Sequence, residues 1–81
     1  RALNKLMNVA NYLNGDWKPD FTNKNQQKWC IEYDIESSMF GTDYSIYNKY
    51  SVTYFKSAEL ALQAIEILGE DEVKKALGIF E

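Results

Sequence analysis

Histidine is absent from the sequence, and cysteine occurs once, at Cys30. The missing imidazole excludes the catalytic sets that use histidine as a base, histidine-ligated zinc and a histidine pH switch. A single cysteine excludes an intrachain disulfide and a thiolate cage around a metal. There is also no Asn-x-Ser/Thr acceptor site, no signal-peptide core and no long apolar run. We therefore expect a protein of the reducing cytoplasm that does not enter a membrane.

Other absences concern phosphate and metal sites. The four glycines are too scattered to form a phosphate-binding loop. The acids Asp34, Glu36 and Asp43 do not form an EF-hand, because a loop counted from Asp34 has Met39 where glycine is needed and Ser45 where glutamate is needed. After these exclusions, the sequence offers no recognisable set of catalytic residues. We expect no cofactor and no metal, and we expect that the protein is not an enzyme.

The charge balance is acidic and uneven. Nine basic and twelve acidic side chains give a net charge of −3. Residues 57–81 alone carry −4, from Lys74 and Lys75 against six acids. An acidic chain without a basic stripe gains little from contacts with phosphates, so binding to duplex nucleic acid is disfavoured.

The 81 residues, of which 46% are hydrophobic and 15% aromatic, suit one small domain spanning 1–81. Because the sequence begins with Arg1 rather than methionine, we expect this domain to be part of a longer chain.

The N-terminal part predicts a helix followed by a strand. Apolar residues recur every three or four positions over residues 1–14, and Asn14-Gly15 is typical of a helix end. After a polar connection, apolar and polar residues alternate strictly from Lys28 to Ile35. This alternation predicts a strand with one buried and one wet face. The buried set is Trp29, Ile31, Tyr33 and Ile35, and the wet set is Lys28, Cys30, Glu32 and Asp34.

The rest of the chain predicts more strands and then two helices. A turn at Glu36 to Ser38 precedes a second strand over Met39 to Tyr47, and a third strand is expected over Tyr50 to Phe55. Ser57 has the side chain of a helix N-cap, Gly69 closes that helix, and a short last helix follows and frays at Gly78.

The predicted fold class is therefore α+β, with two layers. A small antiparallel sheet of two to three strands packs against two to three helices in the order α-β-β-(β)-α-α. The predicted core comprises Leu6, Ala10, Leu13, Trp29, Ile31, Tyr33, Val52, Leu60, Ala64, Ile65 and Leu68.

Two stretches resemble a family of small phage and prophage proteins of bacteria. They are Tyr12 to Asp20, which reads YLNGDWKPD, and Tyr54 to Glu70, which reads YFKSAELALQAIEILGE. The resemblance extends from about Leu6 to Glu72 and departs from the family pattern between Ile35 and Ser51. It implies a phage or prophage origin, a bacterial host cytoplasm and a position at the C-terminal end of a longer chain. No catalytic residues come with it.

Surplus aromatic side chains provide the candidate interaction surface, which consists of Trp17, Tyr44, Tyr47 and Tyr50. Tyrosine and tryptophan make large contacts at low entropic cost, which favours a non-catalytic module that binds a protein partner. The alternative is weak binding of single-stranded nucleic acid through stacking on the tyrosines. Ordinary structural roles, with Trp17 sealing the core and the tyrosines filling strands, also explain these residues. A homo-oligomer is left open.

Overall fold

The computed structural model describes residues 1–49 and 51–79 and has an α+β fold. In chain order the elements are α1 (Ala2–Asn14), β1 (Lys28–Asp34), β2 (Met39–Ser45), α2 (Ala58–Leu68) and α3 (Glu70–Ala76). The two strands form one antiparallel sheet, and α2 packs against both of them. Helix α1 packs against α2 and α3. The predicted fold class is confirmed.

Helix α1 has the extent that its periodicity predicts. Leu6 and Ala10 are buried, and α1 ends where Gly15 turns the chain with a φ of 61°. Lys5 adds an ion pair to Glu72 of α3, with 3.3 Å between Nζ and Oε2. Both side chains keep contact with solvent, so burial of the apolar stripe holds α1 in place more than this pair does.

The β1–β2 hairpin pairs Lys28 with Ser45 at one end and Asp34 with Met39 at the other. Both strands are shorter than expected. The prediction that Ile35 belongs to β1 and faces the core is wrong, because Ile35 lies in the turn and is largely exposed. The second strand ends at Ser45 and not at Tyr47, because the chain bends immediately after Ser45.

Of the expected third strand, residues 51–55 are described, and they form a single bridge. Phe55 and Trp29 exchange both backbone hydrogen bonds, with N–O distances of 2.7 and 3.0 Å. On the other side of the segment, the Asn14 side chain donates to the Tyr54 carbonyl and accepts from the Lys56 N–H. Tyr50, the first residue of the expected strand, lies outside the described residues.

Val52 was predicted to lie in the core, and this prediction is wrong. Its side chain is 62% exposed. The reason is that the chain bends at Ser51 and Val52 instead of pairing with β1, so no strand directs Val52 inward.

The two C-terminal helices are capped by local sequence. The Ser57 Oγ accepts a hydrogen bond from the Leu60 N–H, which confirms the predicted N-cap of α2. The expectation that Gly78 frays the end of α3 is wrong. Gly78 has a φ of 79°, and its N–H bonds the Lys75 carbonyl while the N–H of Ile79 bonds that of Lys74. These two bonds form a Schellman cap, which a residue with a positive φ completes.

The core lies where α2 meets α1, the sheet and α3. Most of the predicted core residues contribute to it, but Phe55, which is fully buried, was not predicted to lie there. The buried apolar cluster comprises Leu6, Ala10, Ile31, Phe55, Ala61, Ala64, Ile65 and Val73. Within the described residues, no helix has both the length and the apolar character needed to cross a bilayer.

Candidate interaction surface

The core-facing side of the hairpin is built from two cross-strand aromatic pairs. The ring centroids of Trp29 and Tyr44 are 5.0 Å apart, and those of Tyr33 and Phe40 are 4.9 Å apart. Pairs of this kind stabilise a two-stranded sheet. They fix the orientation of Tyr44, which keeps 42% of its surface exposed at the margin of the sheet.

The opposite side of the hairpin divides into two regions. We define the hairpin base as residues 28–30 and 43–45 and the hairpin tip as residues 32–41. At the base, Lys28, Cys30 and Ser45 are buried, although the alternation predicted a wet face for Lys28 and Cys30. At the tip, Glu32 and Asp34 are exposed as predicted. The prediction fails at the base because connecting segments cover that end of the sheet.

Lys28 holds these covering segments. Its side chain is fully buried, and its ammonium group donates to the carbonyls of Asn23, Gln26 and Ile46 at 3.1, 2.9 and 2.7 Å. Three carbonyls satisfy the three donors of the ammonium group, which a buried charge requires. The Phe21 ring adds a cation–π contact, with its centroid 5.3 Å from Nζ. Lys28 therefore joins the segment before β1 to the segment after β2.

The segment before β1 has its own polar network. The N–H and hydroxyl of Thr22 both bond Oδ1 of Asp20, and the Gln26 side chain bonds the Lys18 carbonyl and the Asp20 N–H. The two bonds from Thr22, the hydroxyl first, lower the pKa of Asp20 below its ordinary value of 3.8. These bonds shape the loop around the Lys28 ammonium group.

The turn after β2 presents Tyr47 to solvent. The Ser45 hydroxyl donates to the Asn48 carbonyl and accepts from the Asn48 N–H at 3.1 Å, which closes a tight turn. Lys28 fixes the same turn through the Ile46 carbonyl. Tyr47 therefore projects from an anchored turn with 62% of its surface exposed.

Trp17 and Tyr50 are the remaining two predicted surface residues. Trp17 is half-buried and lines a small depression with Met7, Pro19 and Tyr54, closer to the sealing role than to an exposed anchor. Tyr50 lies outside the described residues. Of the four predicted residues, the structure thus leaves Tyr44 and Tyr47 exposed.

Apolar side chains at the hairpin tip were not predicted as part of the surface. Ile35 and Met39, at the two ends of the connecting turn, are each more than 60% exposed. The turn itself is formed by Asp34, whose carboxylate accepts from the Glu36 N–H and the Ser37 hydroxyl. The sequence signal was available, since both residues are apolar and flank a polar turn.

An open groove of about 930 Å³ follows the outer edge of β1, the edge that does not face β2. One wall is β1 from Cys30 to Asp34, a second is Lys49, Ser51 and Val52, and the third is the C-terminal end of α3 with Ile79. The groove begins next to the Trp29–Phe55 bridge, where residues 51–53 diverge from β1. Sequence reasoning missed it because it exists only where an expected strand pairing fails to form.

Within residues 1–49 and 51–79, no three histidine, cysteine, aspartate or glutamate side chains lie together in a way that could hold a metal ion.

Comparison with known proteins found that no family model, no curated protein and no solved structure matches this chain.

Proposed function

We propose that this domain is a non-catalytic module that binds a protein partner, with the turn after β2 as the centre of its contact surface. The observation that carries the proposal is Tyr47, a large aromatic side chain exposed on a turn that Lys28 and Ser45 fix from below. An anchored aromatic ring loses little entropy on binding, which suits it to a contact of high energy.

Other features of the hairpin support this proposal. Tyr44 is exposed at the margin of β2, and Ile35 and Met39 are exposed at the tip. Apolar side chains of this size on one hairpin suit the contact area that protein interfaces bury. The resemblance to small phage and prophage proteins extends the proposal to a module in the cytoplasm of a bacterial host cell, in which the partner is a host protein or another part of the parent phage protein.

The second candidate function is weak binding of single-stranded nucleic acid on the same tyrosines. Exposed rings can stack on bases, which is the observation in its favour. The net charge of −3 opposes it, because phosphates would meet an acidic domain. In addition, Lys28 is buried beneath the Tyr47 turn and cannot contact a phosphate backbone.

The experiment is a quantitative capture from bacterial lysate with the immobilised domain, comparing wild type with Tyr44→Ser/Tyr47→Ser. Tyr12→Ser is the matched control, because Tyr12 is 82% exposed on α1, outside the hairpin. We expect the double variant to lose a bound protein that wild type and Tyr12→Ser retain. The double variant should remain folded by circular dichroism, although loss of the Trp29–Tyr44 ring pair lowers its melting temperature. Equal capture by all three would contradict the proposed surface.

A labelled mixed single-stranded oligonucleotide distinguishes the two candidate functions. We expect no retention near physiological salt. Binding that weakens steeply with rising salt and is lost on Tyr47→Ser would favour the nucleic-acid function, since only phosphate contacts release counterions in that way.

A further inference from the structure

The outer edge of β1 has hydrogen-bonding capacity that the described fold does not use. Trp29 directs its N–H and C=O away from β2, because both bond to Phe55. Backbone groups alternate along an antiparallel strand, so Ile31 directs its own groups to the same outer edge. Continued pairing would place Thr53 opposite Ile31, but no backbone hydrogen bond joins these two residues. The ladder therefore stops at Trp29, and the backbone of Ile31 opens into the groove.

The groove has the chemistry needed for an added strand. Its floor and walls are apolar where they are formed by Ile31, Val52 and Leu77, and the backbone of Ile31 supplies the open strand edge. An extended peptide placed there would bond the Ile31 backbone, and its alternate side chains would contact the apolar walls.

The other edge of the sheet is less suited to this role. Tyr44 lies opposite Trp29, so its N–H points outward from β2. The Asp43 carboxylate already accepts a hydrogen bond from that N–H at 2.8 Å. A carboxylate placed on an edge strand blocks the approach of another strand. In the part of the chain that the structure describes, no backbone hydrogen bond occupies the Ile31 edge in this way.

Charge indicates which peptide fits. Among the described residues that line the groove, Glu32 and Asp34 are acidic and one residue, Lys49, is basic. The excess of carboxylates favours an occupant that carries positive charge and disfavours a second copy of this acidic chain, whose net charge is −3.

We infer that the groove binds an extended apolar segment with basic flanks from the partner protein, and that this segment joins β1 as an additional strand beyond the Trp29–Phe55 bridge. This inference rests on the proposed function, because it specifies how the partner is held. Backbone pairing would supply affinity, and the exposed tyrosines would contact the same partner outside the groove.

The probe is a fluorescent heptapeptide that alternates valine and threonine and has a lysine at each end. Two further peptides carry N-methyl groups on one or the other alternate set of amides, so that each loses the donors of one strand edge and keeps all of its side chains. We expect the parent peptide to bind and one methylated peptide to bind at least about tenfold more weakly, because it loses main-chain hydrogen bonds. The other methylated peptide should bind much like the parent.

Variants and amide exchange locate the bound peptide. Val52→Lys should weaken binding at least about fivefold by placing positive charge in the groove beside Lys49, as expected for a basic ligand. Leu62→Lys is the control, since Leu62 is exposed on α2 and does not line the groove. In the complex, hydrogen exchange at the Ile31 amide should slow more than at any amide of β2.

Failure of the parent peptide to bind would overturn the inference, as would equal binding of all three peptides. Protection confined to β2, or formation of dimers in place of a peptide complex, would also overturn it.

The proposed function is tested separately by the lysate capture. If lysate capture depends on Tyr44 and Tyr47 while the peptide does not bind, strand addition is wrong and the protein-binding function stands. If capture is insensitive to the tyrosines and the peptide binds at Ile31, the tyrosine surface is wrong.

Discussion

The base and the tip of the β1–β2 hairpin have opposite surroundings although one alternating pattern runs through both. At the base, connecting segments bury Lys28, Cys30 and Ser45, and the three donors of the Lys28 ammonium group are satisfied. At the tip, one side packs through the Tyr33–Phe40 pair, whereas the acidic side is open to solvent. The difference shows that connecting segments, and not the strand pattern, determine which parts of this small sheet are buried.

The same division separates structural from interaction roles. The base anchors the turn that carries Tyr47, and Trp29 of the base forms the bridge with Phe55. Beyond that bridge, the backbone of Ile31 opens into the groove, and Ile35 and Met39 at the tip are exposed. Substitutions at the buried residues of the base should therefore change stability, whereas substitutions at Tyr47 and at the exposed residues of the tip should change binding.

The largest expected effect comes from removing the bridge residue. Phe55→Ala should lower the free energy of unfolding by about 3–5 kcal/mol, because it empties a fully buried site in the core. Ile35→Ala, at the exposed turn of the tip, should change it by less than about 0.5 kcal/mol. Urea denaturation of both variants measures the difference, and similar losses at the two sites would remove the distinction between base and tip.

The second effect concerns two charged residues on the same face of β1. Lys28→Met keeps the apolar stem but leaves three carbonyls without their donor, and it should cost about 1–3 kcal/mol. Glu32→Gln, four positions along the strand, should stay within about 0.5 kcal/mol of wild type because its side chain is exposed. If denaturant melts show a larger loss of stability for Glu32→Gln than for Lys28→Met, the covering segments do not depend on Lys28.

A smaller effect is expected at the start of α2, which supports the base and the tip alike. Ser57→Ala should cost about 1 kcal/mol, and Ser57→Gly should cost less, because the hydroxyl satisfies the Leu60 N–H. Thermal melts of the two variants and wild type test this order. If neither substitution moves the melt, the observed cap contributes nothing to stability.

The smallest expected effect is a pH dependence of stability, which arises from Asp20 in the loop that covers the base. The pKa of Asp20 is lowered in the folded state, so the folded protein favours the ionised carboxylate. Its contribution to stability is present above the unfolded pKa near 4 and is lost as the pH falls through the lower folded value. Asp20→Asn should flatten this part of the stability profile between neutral and acidic pH. An unchanged profile would indicate that the bonds from Thr22 do not favour the charged form.

Local signals predicted the parts of the fold that depend on local contacts. The extent of α1, the start of β1 and the Ser57 cap follow from periodicity and from a capping side chain, so they could be read from a few neighbouring residues. The burial of Lys28 and Cys30 depends instead on segments before and after the hairpin that fold over its base. Nothing within β1 signals such a cover.

The candidate site divides in the same way. The exposure of Tyr44 and Tyr47 agreed with the excess of aromatic residues over what two thin layers can bury. The groove could not be predicted, because residues 50–55 have the composition of a strand, whereas the structure pairs Phe55 with Trp29 and lets the chain diverge at Thr53. The bonds of Asn14 to Tyr54 and Lys56 hold this arrangement from α1, forty and forty-two positions away in sequence.

The most direct test of a closed base and an open strand edge is amide hydrogen exchange at two neighbouring residues, Cys30 and Ile31. The Cys30 N–H points toward β2, opposite Asp43, at the covered base, whereas the Ile31 N–H points into the groove. We predict that Cys30 exchanges only through unfolding of the domain and that Ile31 exchanges much faster in the free protein. Equal, strong protection of both amides would contradict this description, because it would show that residues 51–53 complete the ladder and close the edge.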